Sequence, residues 1–167
     1  MSDKPKSAKA SKPGGEQLIA TNPNGRSNYF IEEVLEAGLV LTGTEVKSLR
    51  MQAPNLRDAY VEVKSGGKTA EAWLVNVHIG PYSHGNIWNH EANRRRKLLL
   101  HSHQIHQLFG SVTLKGLSII PLRMYFLKGR AKVELGVGKG KKKYDKREDL
   151  KKKSAEREMD IERKYKR

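Results

Sequence analysis

Cysteine is absent from this 167-residue chain. Disulfide-stapled scaffolds, Cys-ligated zinc modules and thiol enzymes are therefore excluded. Long apolar runs are missing too. None approaches the roughly 20 residues that a membrane-crossing helix needs. Met1 to Gly15 has lysines but no apolar segment, so it does not read as a secretory signal. Aromatic residues are sparse, at 7%, and acids are few: 18 Asp+Glu stand against 33 Lys+Arg, a formal net charge of +15. The expectation is a soluble, cytosolic protein that binds a polyanion. Nucleic acid is the commonest polyanion of that compartment. The length suits one ordinary domain.

The charge is unevenly placed. Residues 1–25 carry 4 lysines against 2 acids, residues 26–127 carry 12 Lys+Arg against 8, and residues 128–167 carry 17 against 8. The last quarter thus holds +9 of the excess and the middle only +4. Lys, Ser, Pro and Gly dominate the start, so residues 1–20 read as a flexible basic arm. Residues 21–138 have the apolar content of a core, and residues 139–167 form a basic tail.

Period-2 patterns fill the middle. Tyr29 to Leu41 is apolar-rich with little turn signal. Ala59, Val61 and Val63 alternate with polar neighbours, Ser65-Gly66-Gly67-Lys68 turns the chain, and Trp73, Val75, Val77 and Ile79 alternate on the way back. Ile120 to Phe126 and Ala131 to Val137 form a second hairpin around Lys128-Gly129-Arg130. Two helices interrupt the strands: Thr44 to Met51, and a second with Ser102 as N-cap and Ile105, Leu108, Phe109 and Val112 at helical spacing. Gly80 to Lys97 is too long and polar for a tight turn and reads as a functional loop, in which Tyr82, His84 and Trp88 offer stacking faces. A small antiparallel barrel of the oligonucleotide-binding type fits this pattern, as does a split α+β sheet. Periodicity does not choose between them.

The tail has no strand pattern. Asp145 offers an N-cap with Glu148 three residues on, and Glu148–Lys152 is an i, i+4 pair. Leu150, Ile161 and Tyr165 share a stripe too thin to dock firmly. The expected behaviour is disorder in the free chain and a helix on a polyanion.

No catalytic set is expected. A phosphate loop fails because the glycine required after Gly136 falls on Lys141 and no Gly-Lys-Ser/Thr follows. His101, His103 and His106 lack the further ligands of a metal site, and Glu32, Glu33 and Glu36 have no nucleophile beside them. Neither cofactor nor metal is expected. Arg94-Arg95-Arg96-Lys97, directly before Leu98-Leu99-Leu100, would put positive charge at a sheet edge to hold phosphates.

Several blocks together resemble one family. These are Tyr29-Phe30-Ile31-Glu32-Glu33, then Glu36-Ala37-Gly38 through Gly43-Thr44-Glu45-Val46-Lys47-Ser48-Leu49-Arg50, Asn55 to Tyr60, and Arg96 to Leu100. Tyr125-Phe126, Lys132-Val133 and Gly140-Lys141-Lys142-Lys143-Tyr144-Asp145-Lys146-Arg147-Glu148 continue the match. They resemble the small protein B family, the SsrA-binding proteins that partner bacterial transfer-messenger RNA. The likeness runs from about residue 20 to the C-terminus.

That resemblance implies a mainly β fold: a six-stranded oligonucleotide-binding-type antiparallel barrel with small flanking helices. It implies a monomeric cytoplasmic adaptor, away from membranes, that makes no bond itself. Its partners would be the transfer-RNA-like domain of transfer-messenger RNA, elongation factor Tu with GTP, and the stalled ribosome. Asn22, Tyr29, Glu36, Lys47, Arg50, Arg94, Arg96, Lys97 and Leu98, Leu99 and Leu100 would meet the transfer-messenger RNA. In that role Glu36 would accept from a base edge or orient Arg50. Lys139, Gly140, Lys141, Lys142, Tyr144, Asp145, Lys146 and Arg147 would lie in the vacant messenger channel of the small subunit.

Overall fold

The structure is a computed structural model, and it describes residues 15–66 and 69–165. Among these residues are seven strands and four α-helices: β1 (Gln17–Thr21), α1 (Pro23–Asn28), β2 (Tyr29–Leu39), α2 (Gly43–Met51), β3 (Tyr60–Gly66), β4 (Thr69–Val75), β5 (Arg96–Leu99), α3 (Ser102–Lys115), β6 (Ser118–Leu127), β7 (Arg130–Gly140) and α4 (Lys143–Tyr165). The strands pair antiparallel in the order β1-β6-β7-β2-β5-β4-β3, and the sheet curls until β3 approaches β6. This is a mainly β fold with several helices. Among the described residues it has seven strands where the resemblance implies six.

Local chemistry explains the turns. Lys128 and Gly129 both have positive φ, 49° and 77°, between Leu127 and Arg130, which pair directly. Positive φ at both central residues is the hairpin turn whose twist matches the strands. Pro121 cannot donate to a ladder, and β6 shifts register between Pro121 and Arg123, which accommodates it. The return strand β4 stops at Val75, short of the expected Ile79. Asn76 takes φ 59° there, although Val77 and Ile79 stay buried.

The core is mainly aliphatic. Ala72, Leu74, Val77, Leu108, Met124, Val133 and Leu135 have no solvent access. α3 closes one side through Ile105 and Leu108. Its N-cap is His101 rather than Ser102, because Gln104 Oε1 accepts from the His101 backbone N–H at 3.0 Å. Gly116, with φ 62°, ends it.

Two expected boundaries move. The arm drawn over residues 1–20 overlaps β1, while its first fourteen residues lie outside the described residues. At the other end β7 runs to Gly140, past the expected limit of 138. The tail differs more. Expected to be disordered in the free chain, it is helical from Lys143 to Tyr165. Residues 141–167 contain neither glycine nor proline, and Lys, Arg, Glu, Leu and Met are all good helix formers. Asp145 is not the N-cap. It sits at the third helical position, where its carboxylate accepts from the Lys142 backbone N–H at 3.1 Å.

Candidate nucleic-acid interface

The two ends of β2 carry different groups. At its start, Asn22 caps α1. Its Oδ1 accepts from Asn24 N–H at 3.0 Å, its Nδ2 donates to Pro121 O at 2.9 Å, and the residue is buried. Asn22 is therefore spent on holding α1 to β6. Beside it Tyr29, half-buried, lines a surface groove of about 570 Å³ with Asn24, Asn28, Arg57 and Tyr60. The root of the tail is attached here too. Lys141 N–H donates to Asn28 O at 2.8 Å, and the Lys141 ammonium lies 4.8 Å from the centre of the exposed Phe30 ring.

Farther along β2 stands Glu36, seven residues from Tyr29 and so roughly 23 Å away along an extended strand. Its carboxylate accepts from the Tyr125 hydroxyl and the Lys132 ammonium. The Lys132 and Tyr125 hydrogen bonds hold its pKa below the ordinary carboxylate value. Glu36 makes no hydrogen bond or ion pair with Arg50. That guanidinium lies 5.8 Å from the Phe126 ring, on exposed α2 surface. Lys47 is likewise exposed, its ammonium 5.5 Å from the Tyr82 ring. Leu99 projects into solvent opposite Gly38, and with Val46, Arg130 and Lys132 it edges a second, shallow pocket.

The cationic run from Arg94 to Lys97, whose last two residues open β5, is a correction. Arg96 is fully buried. Its Nε donates to Glu45 Oε1 at 2.8 Å, and its other donors reach the carbonyls of Val77, Arg94 and Ala92 at 2.7 to 2.9 Å. Burial pulls its pKa down, and Glu45 opposes that pull. The Arg96 side chain has no solvent access. Arg94 binds both oxygens of Glu45 at 2.8 and 2.5 Å. Arg95 pairs with Glu62 at 2.9 Å and Lys97 with Glu71 at 2.7 Å. Each cation of the run thus has a carboxylate partner. Leu98 is also buried in the core and Leu100 is half-buried against it, which leaves Leu99 as the exposed member of that block. The reason is the period of a strand: Arg96 and Leu98 point inward, Arg95, Lys97 and Leu99 outward.

The loop before β5 is ordered by its own bonds. Asn89 closes it through Tyr82 N and O, both at 2.9 Å, and leaves Ile87 and Trp88 exposed on a short 3₁₀ turn. His103 and His106 are exposed, as their helical spacing implies. Among the described residues, no group of three His, Asp or Glu forms a metal-holding cluster. Nor is any helix there long and apolar enough to cross a membrane. In the tail, Lys139 and Gly140 end β7, Lys142 precedes α4, and Tyr144 and Arg147 are exposed on it. The side chain of Lys146 lies outside the described residues. Sequence reasoning about sites missed Glu45, Tyr125 and Lys132. Glu45 was signalled by the spacing Thr42-x-x-Glu45, a helix-start pattern.

Fold and surface define a basic antiparallel-sheet protein that carries a cationic C-terminal helix. The model of the SmpB protein family matches residues 19–167. The chain belongs to the SmpB family. It is 57% identical over 145 residues to the SsrA-binding protein of Pelobacter propionicus, covering 87% of this chain and 93% of that protein. It is 56% identical to the SsrA-binding protein of Geobacter metallireducens, at 87% and 92% coverage. A chain in the solved structure "tmRNA-SmpB: a journey to the center of the bacterial ribosome" matches with a TM-score of 0.61 and 39% identity, over 83% of this chain and 95% of the other.

Proposed function

We propose that this chain is the RNA-binding adaptor of trans-translation, which binds the transfer-RNA-like domain of transfer-messenger RNA and helps bring it to stalled ribosomes. The observation that carries this reading is the extent of the family match. Residues 19–167 take in the sheet and the cationic helix together. Relatives called SsrA-binding proteins, and a neighbour in a tmRNA-SmpB structure, support the two partners.

In this reading the sheet domain is an oligonucleotide-binding-type barrel, and the approach of β3 to β6 supports closure. Exposed or half-buried Tyr29, Glu36, Lys47, Arg50 and Leu99 form its RNA surface. Asn22 positions α1 beside it. Residues 139–167 enter the vacant messenger channel, where Lys139, Lys142, Lys146 and Arg147 meet ribosomal phosphates and Tyr144 stacks on a base. Elongation factor Tu with GTP joins through the RNA. The protein acts as a cytoplasmic monomer, takes no cofactor and makes no bond itself.

Two RNA-binding surfaces can be separated by cutting the chain after Lys142, beyond the bonds that pin Lys141. The truncated protein should bind the transfer-RNA-like domain within about threefold of the full chain, and at least roughly tenfold more tightly than an unrelated hairpin at equal salt. Tag addition on stalled ribosomes should be lost. Equal loss of both activities, or no preference between the two RNAs, would overturn the reading.

A further inference from the structure

Glu36 on β2 stands directly opposite Glu134 on β7. Like charges at opposed positions of an antiparallel pair repel. The two carboxylates coexist because they face different donors. Glu134 accepts from Arg123 Nε at 2.6 Å and lies 3.6 Å from Arg26, and its side chain is only 15% exposed. It is a structural charge. Glu36 has one oxygen on the Lys132 ammonium and the other on the Tyr125 hydroxyl, yet its side chain is 45% exposed.

The donors are themselves held. Tyr125 and Lys132 are direct partners across β6 and β7. Tyr125 is 3% exposed, with the Arg123 guanidinium 4.9 Å from its ring centre. Gly38 lies opposite Lys132 and brings no side chain between that ammonium and Glu36. Burial and the Glu36 hydrogen bond push the Tyr125 hydroxyl far above its ordinary value, so it stays a donor at every working pH. An ionised carboxylate offers about four acceptor positions, of which the protein uses two here. A fixed, solvent-facing anion is a poor phosphate ligand and a good partner for N–H groups on a base edge.

We infer that Tyr125 and Lys132 are positioning residues that hold Glu36 as a pre-set acceptor for an N–H donor edge of an RNA base. This rests on the reading of the surface around Glu36 as the RNA face. Tyr125 is too buried to meet RNA itself, so its influence passes through Glu36.

The test measures binding of the full-length protein to the transfer-RNA-like domain of transfer-messenger RNA at several salt concentrations. Glu36→Gln should weaken binding about tenfold although it removes a negative charge. Tyr125→Phe should weaken it several-fold with an unchanged salt slope, because no phosphate contact is lost. In the Glu36→Gln background, Tyr125→Phe should cost nothing further. Lys132→Gln should weaken binding, while Lys132→Arg, which keeps the donor, should restore it. Urea unfolding of Tyr125→Phe checks that the fold survives, and the more exposed Lys132→Gln carries the test if it does not. A Tyr125→Phe loss of equal size in both backgrounds would overturn the positioning role. So would normal binding by Tyr125→Phe and Lys132→Gln while Glu36→Gln is impaired; that result leaves the RNA face standing. Undiminished or tighter binding by Glu36→Gln would instead overturn the RNA face, and the proposal with it.

Discussion

Glu45 on α2 and Arg96 on β5 form an ion pair with no solvent access to either side chain, Nε to Oε1 at 2.8 Å. The surroundings complete it. The Thr42 backbone N–H and the Arg94 fork fill the remaining acceptor positions of Glu45. Backbone carbonyls of Val77, Ala92 and Arg94 take the other Arg96 donors. Burying two charges costs desolvation, so such a pair is weak evidence of net stabilisation. Its effect is positional: it ties α2 to the start of β5.

Removing one partner should therefore cost much more than the pair contributes. Glu45→Ala leaves Arg96 buried and uncompensated, and should lower the unfolding free energy by roughly 3–5 kcal/mol in urea at pH 7. A loss below about 1 kcal/mol would contradict the burial argument. Acid gives a second view. Burial pushes the Glu45 carboxyl up, but the Arg94 hydrogen bond, the Thr42 N–H and the nearby guanidinium charges outweigh it, so its folded pKa lies below the ordinary 4.5. A carboxyl lowered on folding stabilises above its unfolded value, and that contribution is lost as pH falls through the folded value. The stability gap between the natural chain and Glu45→Gln should thus be full at pH 7 and narrow below about pH 4.5.

Much of the sheet was legible because its strands alternate. Ile120 to Phe126 and Ala131 to Val137 announced β6 and β7, and Lys128-Gly129 announced the turn between them. Strand order was not legible, since Gln17–Thr21 joins β6 through contacts more than a hundred residues away in sequence. Of the residues proposed to meet RNA, Glu36, Lys47 and Arg50 are exposed, whereas Arg96 and Leu98 are buried. A run of four cations looks like one patch in sequence, but a strand splits it between two faces. The same limit hid Tyr125 and Lys132. Their importance lies in a carboxylate two strands away from Tyr125 and one from Lys132, and composition carries no trace of that.

Gly138 tests the register of β2 against β7. It pairs with Ile31 beside the bulge in β2, and a Cβ there would lie 2.0 Å from the Phe30 carbonyl oxygen. Backbone cannot yield as a flexible side chain does. Gly138→Ala should cost about 3 kcal/mol, the upper part of the usual overpacking range. Gly140 is the control, because a Cβ there meets only the Tyr29 ring, at 3.8 Å. Gly140→Ala should change stability by less than about 1 kcal/mol. Equal costs at the two positions, read from parallel urea curves, would show that the bulge does not hold the backbones together as described.

The cationic helix should be stable only by its own sequence. Met159 and Ile161 are more than half exposed on it, and among the described residues its contact with the rest of the chain is chiefly at α1. A helix whose described side chains are almost all exposed relies on residue propensity and on i, i+4 pairs worth about 0.3–0.5 kcal/mol each. Isolated helices of this kind are marginal in water. Amides of α4 should therefore exchange far faster than those of β6 and β7, in the pattern of local rather than global opening. Cutting the chain after Lys142 should leave the melting temperature of the sheet within about 2 °C, since the described side chains of α4 are almost all exposed. A peptide of residues 139–167 should show partial helicity in the cold that fades on warming, well below the melting of the sheet. Strong exchange protection along α4, or a fall of more than about 5 °C on truncation, would mean that the helix packs on the sheet, and a tail packed that way would have to detach before it could enter a ribosomal channel.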